Sequence, residues 1–219
     1  KGEGTMVFDT DLCAWRAGWI GGFLKADPTR YGLIRALKPE GEILFASPPV
    51  PGVADAKGSF TDPRKLWHGP LPRRHARFKG IYLNGGHVVV RYDLGPTQIY
   101  DSPGLLRGRD GSNQLVRRLL IRVPEGDDRA FEFRDPSANI NVAELLEVRE
   151  GVSINPGPLR ALLNPGPRRW GKPIVTQGIV DKRKTAFAID TITVPYKNPH
   201  NALFFTAGHD FTSNGDCYV

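Results

Sequence analysis

The sequence predicts an all-β protein, an irregular β-sandwich with long Pro/Gly-rich loops. Glycine (25) and proline (19) together approach a fifth of the 219 residues, which suits many strands joined by turns and irregular crossings better than it suits helices. β-Prone runs recur as about ten short pieces bounded by turn residues, and no stretch sustains a helical period. The composition, 40% hydrophobic and 24% charged, fits one large all-β domain or two smaller ones.

In chain order, Met6, Phe8 and Thr10 alternate with Val7, Asp9 and Asp11, which predicts a strand over residues 5–9. A second is expected near residues 14–24, because Gly18, Gly21 and Gly22 argue against a helix there. Residues 39–72 are dominated by Pro, Gly and Ser and read as a long surface excursion with a short strand over 43–46. The clearest local structure is a hairpin over residues 80–94, where Asn84-Gly85-Gly86 suits a tight turn and Val88-Val89-Val90 suits a pleated surface. Further strands are expected over 97–100, 114–123, 130–134 and 145–149. In the second of these, Arg118 and Arg122 stand opposite Leu119, Ile121 and Val123, the alternation of a half-buried strand. Four prolines between residues 155 and 170 leave room for one helical turn at 159–163. A second hairpin is expected from 174–180 and 185–194, around Asp181-Lys182-Arg183-Lys184. The stretch 198–219 reads as strand, turn, strand: an aromatic-rich run at 202–206, turn residues at 213–216, and a new strand opening at Cys217. With Lys1 at the start and that strand cut at Val219, the sequence is expected to be a piece of a longer protein.

No segment approaches the roughly 20 apolar residues that cross a bilayer as a helix. The net charge of +7 is spread over Arg73-Arg74-His75-Ala76-Arg77-Phe78-Lys79, Arg117-Arg118, Arg168-Arg169 and Lys182-Arg183-Lys184, with acidic residues between. No zinc-finger, RNA-recognition or helix-turn-helix pattern accompanies it, so a solvated surface is favoured over nucleic-acid binding. Cys13 and Cys217 lie near opposite ends, and sequence leaves their pairing open. There is no C-x-x-C-H for covalent haem, no metal spacing, no G-x-S-x-G elbow and no phosphate-binding glycine loop.

The candidate catalytic residues are Asp9 and Asp11. On a regular strand they point to one side roughly 7 Å apart, a pair that could serve acid/base chemistry on a glycoside or hold a cation. A turn hydrogen-bonding device or a solvated face is the favoured alternative. Trp15 and Trp19 are candidate ligand-binding platforms for a sugar ring, with core packing favoured. His209 and Asp210 complete the ligand-binding candidates, since a carboxylate can orient an imidazole, although strand neighbours point to opposite faces.

The FDTDL…GW.GG opening, GPLP at 69–72, the KGIYLNGGHVVVRY hairpin, RRWG at 168–171, FAIDTITVPYKNPHNALFFTAGHDF and the NGDCYV ending together resemble a known family. It is the uncharacterised domain that precedes a dehydrogenase-like β-propeller, and often a haem-binding cytochrome c domain, in large secreted proteins of planctomycetes and verrucomicrobia. The resemblance implies a β-rich sandwich-like domain over 1–194, then a linker and the first strands of a propeller-like domain over 195–219. It also implies a periplasmic or extracellular location and a redox or sugar-oxidising parent protein. Haem c or a quinone would lie outside this segment, and the partners would be other domains of the polypeptide or a redox protein. On this reading the segment is an accessory, structural or ligand-binding module. The alternatives are a carbohydrate-active enzyme using the carboxylate pair, and binding of an anionic polysaccharide or nucleic acid through the scattered basic residues.

Overall fold

The structure, a computed structural model, describes residues 4–26, 36–147, 153–167, 171–201, 208–214 and 216–218. It divides into two compact units, Lys1–Pro167 and Arg168–Val219.

In chain order the first unit contains β1 (Gly4–Asp9), β2 (Ala14–Ile20), β3 (Leu24–Lys25), β4 (Lys38–Pro39), β5 (Glu42–Ala46), β6 (Arg77–Asn84), β7 (His87–Leu94), β8 (Thr97–Arg107), β9 (Asn113–Arg122), β10 (Arg129–Phe133), α1 (Val142–Glu147), β11 (Ser153–Ile154) and α2 (Gly157–Leu162). A three-stranded sheet has the order β1-β2-β5, and a six-stranded sheet runs β11-β10-β9-β8-β7-β6. All described strand pairs are antiparallel, so the all-β expectation holds.

The predicted hairpin is present as β6 and β7. Asn84 pairs with His87 across a two-residue loop whose first member, Gly85, has φ 58°, the positive value such a loop requires. The next connection repeats the device, with Gly95 at φ 58° between paired Leu94 and Thr97. Pro103 is tolerated inside β8 because pairing with β7 ends at Asp101, so no ladder hydrogen bond on that side is lost.

The main core lies between the sheets. Met6, Phe8, Trp15 and Phe45 from the smaller sheet pack with Val90, Tyr92, Ile99, Leu119, Ile121 and Phe131 from the larger one. The Phe8 ring stacks on Tyr92 at 5.8 Å and meets Trp15 edge-on at 5.0 Å. Burying each such side chain contributes roughly 1.5–3 kcal/mol.

Several expectations are revised. β9 is partly covered on its second face as well: Leu159 of α2 packs with Val89, Tyr100, Leu120 and Ala130, while Arg118 and Arg122 on that face stay half-exposed. Residues 145–149, expected as a strand, begin within α1, and 148–149 lie outside the described residues. The sequence VAELLE is rich in good helix formers, and Asn141 donates to Glu144 across the first turn. The excursion over 39–72 is in part interior. Val53, Ala54 and Leu71 are buried, and Val53 bridges Ile140.

Gly52 shows why the chain can enter there. Its N–H donates to the Leu12 carbonyl at 3.0 Å, and a Cβ would press on the Cys13 carbonyl and lie 2.7 Å from Ala14 Cα. These are backbone atoms that no rotamer change can move aside. Gly52→Ala is therefore expected to destabilise by at least about 1–3 kcal/mol, read as a fall in the urea midpoint at unchanged m-value. An unchanged midpoint would refute this close approach.

In the second unit, the expected hairpin of 174–180 and 185–194 is reduced to one isolated bridge, Ile179 with Thr191. Side chains replace much of the ladder: Thr176 Oγ1 donates to the Thr193 carbonyl, and Thr193 Oγ1 donates to the Gln177 carbonyl. Asp181 organises the connecting segment by accepting from Arg183 and from the Ile189 N–H. Strands β12 (Asp210–Phe211) and β13 (Cys217–Tyr218) pair around the predicted turn. The aromatic run at 202–206 lies outside the described residues.

Candidate functional site

Strand β1 ends at Asp9, and the next residues fold into a tight turn rather than continuing the strand. Asp9 Oδ1 accepts from the N–H groups of Asp11 and Leu12, both at 3.0 Å. Asp11 Oδ2 accepts from the Gly69 N–H at 2.9 Å, and the Asp11 carbonyl accepts from Leu71. The two carboxylates therefore close a turn and pin a distant loop, the hydrogen-bonding role weighed for them from sequence. Trp15 and Trp19 are core residues at 5% and 2% exposure, and Trp19 Nε1 donates to the Phe23 carbonyl at 2.8 Å. His209 and Asp210 are exposed in the second unit. The imidazole meets the Phe211 ring edge-on, and Asp210 Oδ1 accepts from the Phe211 N–H. Neither makes a described contact with the other.

The strongest buried polar constellation was not anticipated. Arg117, Asp101 and Tyr92 are 2%, 0% and 0% exposed. Asp101 Oδ2 accepts from Arg117 Nε at 2.8 Å and from Tyr92 Oη at 2.9 Å, while Arg117 also donates to the Ala138 carbonyl at 2.7 Å. Burial disfavours the charge on Arg117, but Asp101 and Tyr92 outweigh it and hold the guanidinium above its ordinary pKa. Tyr92 is pushed well above its ordinary value, first by burial and then by the Asp101 charge. Asp101 Oδ1 has no hydrogen-bond partner among the described residues. Sequence did hold a signal: Arg117 shares odd-numbered positions with Leu115, Leu119 and Ile121, the core face of β9.

Cys13 sits beside this network with a free, fully buried thiol. Burial pushes its pKa up to about 12, against a smaller lowering by the Phe78 backbone. Such a thiol is a poor nucleophile at neutral pH. Among the described residues no group of three His, Cys, Asp or Glu side chains could hold a metal ion.

At the surface, Arg73, Arg77, Lys79, Asp93 and Gly95 line an open cleft of about 400 Å³. Arg77 and Asp93 are cross-strand partners, and Lys79 is the extra residue of a bulge between Phe78 and Gly80. A bulge re-aims the side chains around it. Asp93 accepts from Arg91 Nε and a terminal nitrogen at 3.0 and 3.1 Å, while Lys79 Nζ stands 3.9 Å from it. From sequence these cations read only as part of a solvated basic stretch.

The first unit is an antiparallel β domain built mainly on a three-stranded and a six-stranded sheet, with a buried polar network and a basic surface cleft. The sequence model of a family described as a domain of unknown function (DUF6797) matches residues 6–101. That stretch contains Asp9, Asp11, Trp15, Trp19, all the cleft residues and Asp101. No curated protein and no solved structure matches the chain.

Proposed function

We propose that this chain is an accessory module of a larger periplasmic or extracellular redox protein, one that also carries a dehydrogenase-like β-propeller and a cytochrome c domain. It serves packing, ligand presentation or docking rather than bond-making chemistry. One observation carries the non-catalytic reading: Asp9 and Asp11, the best acid/base candidates, accept backbone N–H groups that close a turn and hold a loop. The redox setting is supported by the resemblance of the scattered motifs. The family match over residues 6–101 is compatible with it, being to a domain whose role is open. The residues here do not fit covalent haem attachment, since the two cysteines, Cys13 and Cys217, form no C-x-x-C-H. Haem c or a quinone would belong to the other domains, and the stretch 195–219 would lead into the propeller.

Asp9→Asn and Asp11→Asn keep a carbonyl oxygen where each carboxylate accepts its hydrogen bonds, so both variants are expected to fold while losing any acid/base function. Assayed on a panel of oligosaccharides, the chain and both variants are expected to show the same absence of turnover. Turnover by the native chain that vanishes in a folded Asp9→Asn or Asp11→Asn variant would overturn the module reading in favour of a glycoside-processing enzyme. The redox context is tested on the full-length polypeptide by its pyridine haemochrome spectrum. A spectrum without haem c would remove the cytochrome assignment.

A further inference from the structure

We propose that the cleft formed by Arg73, Arg77, Lys79, Asp93 and Gly95 binds the oxyanion group of an acidic saccharide, a carboxylate or sulfate on a hydroxylated ring. Its biological use rests on the ligand-presenting reading above, whereas the binding itself can be tested on this chain alone.

The charge arrangement is the first argument. Asp93 is engaged by Arg91 through two hydrogen bonds, so that pair is internally neutralised, and Arg73, Arg77 and Lys79 remain as a surplus of cations around an open space. Arg73 is exposed and has no hydrogen bond or ion pair among the described residues. Arg77 is held by one terminal nitrogen, which donates to the Leu71 carbonyl at 2.8 Å. Among the described residues the rest of its fork has no hydrogen bond, leaving a positioned guanidinium, the condition in which an oxyanion is bound with little ordering cost.

Shape and chemistry narrow the ligand. A space of about 400 Å³ is at the small end of ligand pockets and suits one or two sugar units. A Cβ at Gly95 would meet nothing within 4 Å, so that rim is open to a chain continuing outward. Among the described residues no aromatic side chain lines the cleft, which removes the stacking that neutral sugars and single-stranded bases rely on. Asp93 is the discriminating element. Each of its oxygens retains a lone pair beyond the Arg91 bonds, able to accept a ligand hydroxyl next to the bound anion. A bare inorganic anion has no hydroxyl to donate to that acceptor.

Isothermal titration of the chain with glucuronate, a sulfated monosaccharide, inorganic sulfate, glucose and a short single-stranded oligonucleotide tests the assignment. Glucuronate or the sulfated sugar is expected to bind more tightly than inorganic sulfate, glucose not to bind, and affinity to fall as salt is raised. Arg73→Ala, at an exposed site with no partner to lose, is expected to weaken binding by about tenfold or more without shifting Tm. Arg74→Ala, the exposed neighbour outside the cleft, is expected to leave it unchanged. Equal losses in Arg73→Ala and Arg74→Ala would reduce the effect to general surface charge and overturn the site. So would no binding of either acidic sugar at millimolar concentration. An oligonucleotide that binds more tightly than the acidic sugars, and is lost in Arg73→Ala, would overturn the saccharide assignment. Haem content of the full-length protein has no bearing on these outcomes, so this site and the redox reading can fail separately.

Discussion

Arg117→Ala is expected to destabilise the first unit by about 3–5 kcal/mol, seen as a fall in Tm of roughly 10 °C for a chain of this size. The loss does not measure the worth of the ion pair. It arises because the fully buried Asp101 carboxyl would be left with Tyr92 as its side-chain hydrogen-bond partner, and its Oδ1 already has none among the described residues. The Ala138 carbonyl would lose its donor as well. Removing both ends together is a different matter: Arg117→Met with Asp101→Leu exchanges a desolvated pair for apolar surface, and part of the loss is expected to be recovered, while the Tyr92 hydroxyl and the Ala138 carbonyl stay without these partners. Thermal and urea denaturation of the single and double variants separate these contributions. A single variant that melts within about 2 °C of the native chain would show that the network carries far less than its burial suggests.

Alkaline unfolding is the second large effect. Cys13 has a folded pKa of about 12 against an ordinary 9.0, and Tyr92 is likewise raised, so both groups hold their protons more tightly in the folded chain than in the unfolded one. The sign follows by linkage: this stability is fully present below the unfolded values and is lost as pH rises through the window above them. Between pH 9 and about 12, ionisation of Cys13 in the unfolded chain is expected to remove about 1.4 kcal/mol per pH unit, some 4 kcal/mol in all. Tyr92 adds to the slope above its ordinary value of 10.0. Urea midpoints measured from pH 7 to 11 are expected to fall from about pH 9 onward, and Cys13→Ala to delay the fall to about pH 10. A native curve that stays flat to pH 11 would contradict the burial of both groups.

Much of the sheet structure was legible because it is local. Asn84-Gly85-Gly86 announces its own turn, and Val88-Val89-Val90 its own strand. What escaped depends on contacts distant in sequence. Leu145 and Leu146 look equally suited to a strand or a helix, and only their packing against the core from α1 decides between them. Val53 and Leu71 lie in Pro-rich text that resembles surface loop, yet hydrogen bonds to Leu12, Asp11 and Ile140 carry that text inward. Asp9 and Asp11 are visible as a pair, but their same-side placement needs strand geometry two residues beyond the end of β1. The turn beginning at Thr10 gives each carboxylate a separate backbone partner. The basic cleft had its residues in view and its geometry hidden, because the bulge at Lys79 and the turn at Gly95 bring cations from a loop and a strand around one carboxylate.

The strand order of the larger sheet also bears on the sequence of events in folding. Strands β6 to β10 pair strictly with their neighbours along the chain, so each pairing closes only a short loop and little entropy opposes it. The bridge from Val53 to Ile140, and the packing of Cys13 and Trp15 onto Tyr92, instead require segments far apart in the chain to meet. Asp101 and Arg117 both belong to the quickly closing meander, on adjacent strands. Their ion pair therefore requires only local chain closure to be brought together, whereas the packing that dehydrates it depends on the remote segments.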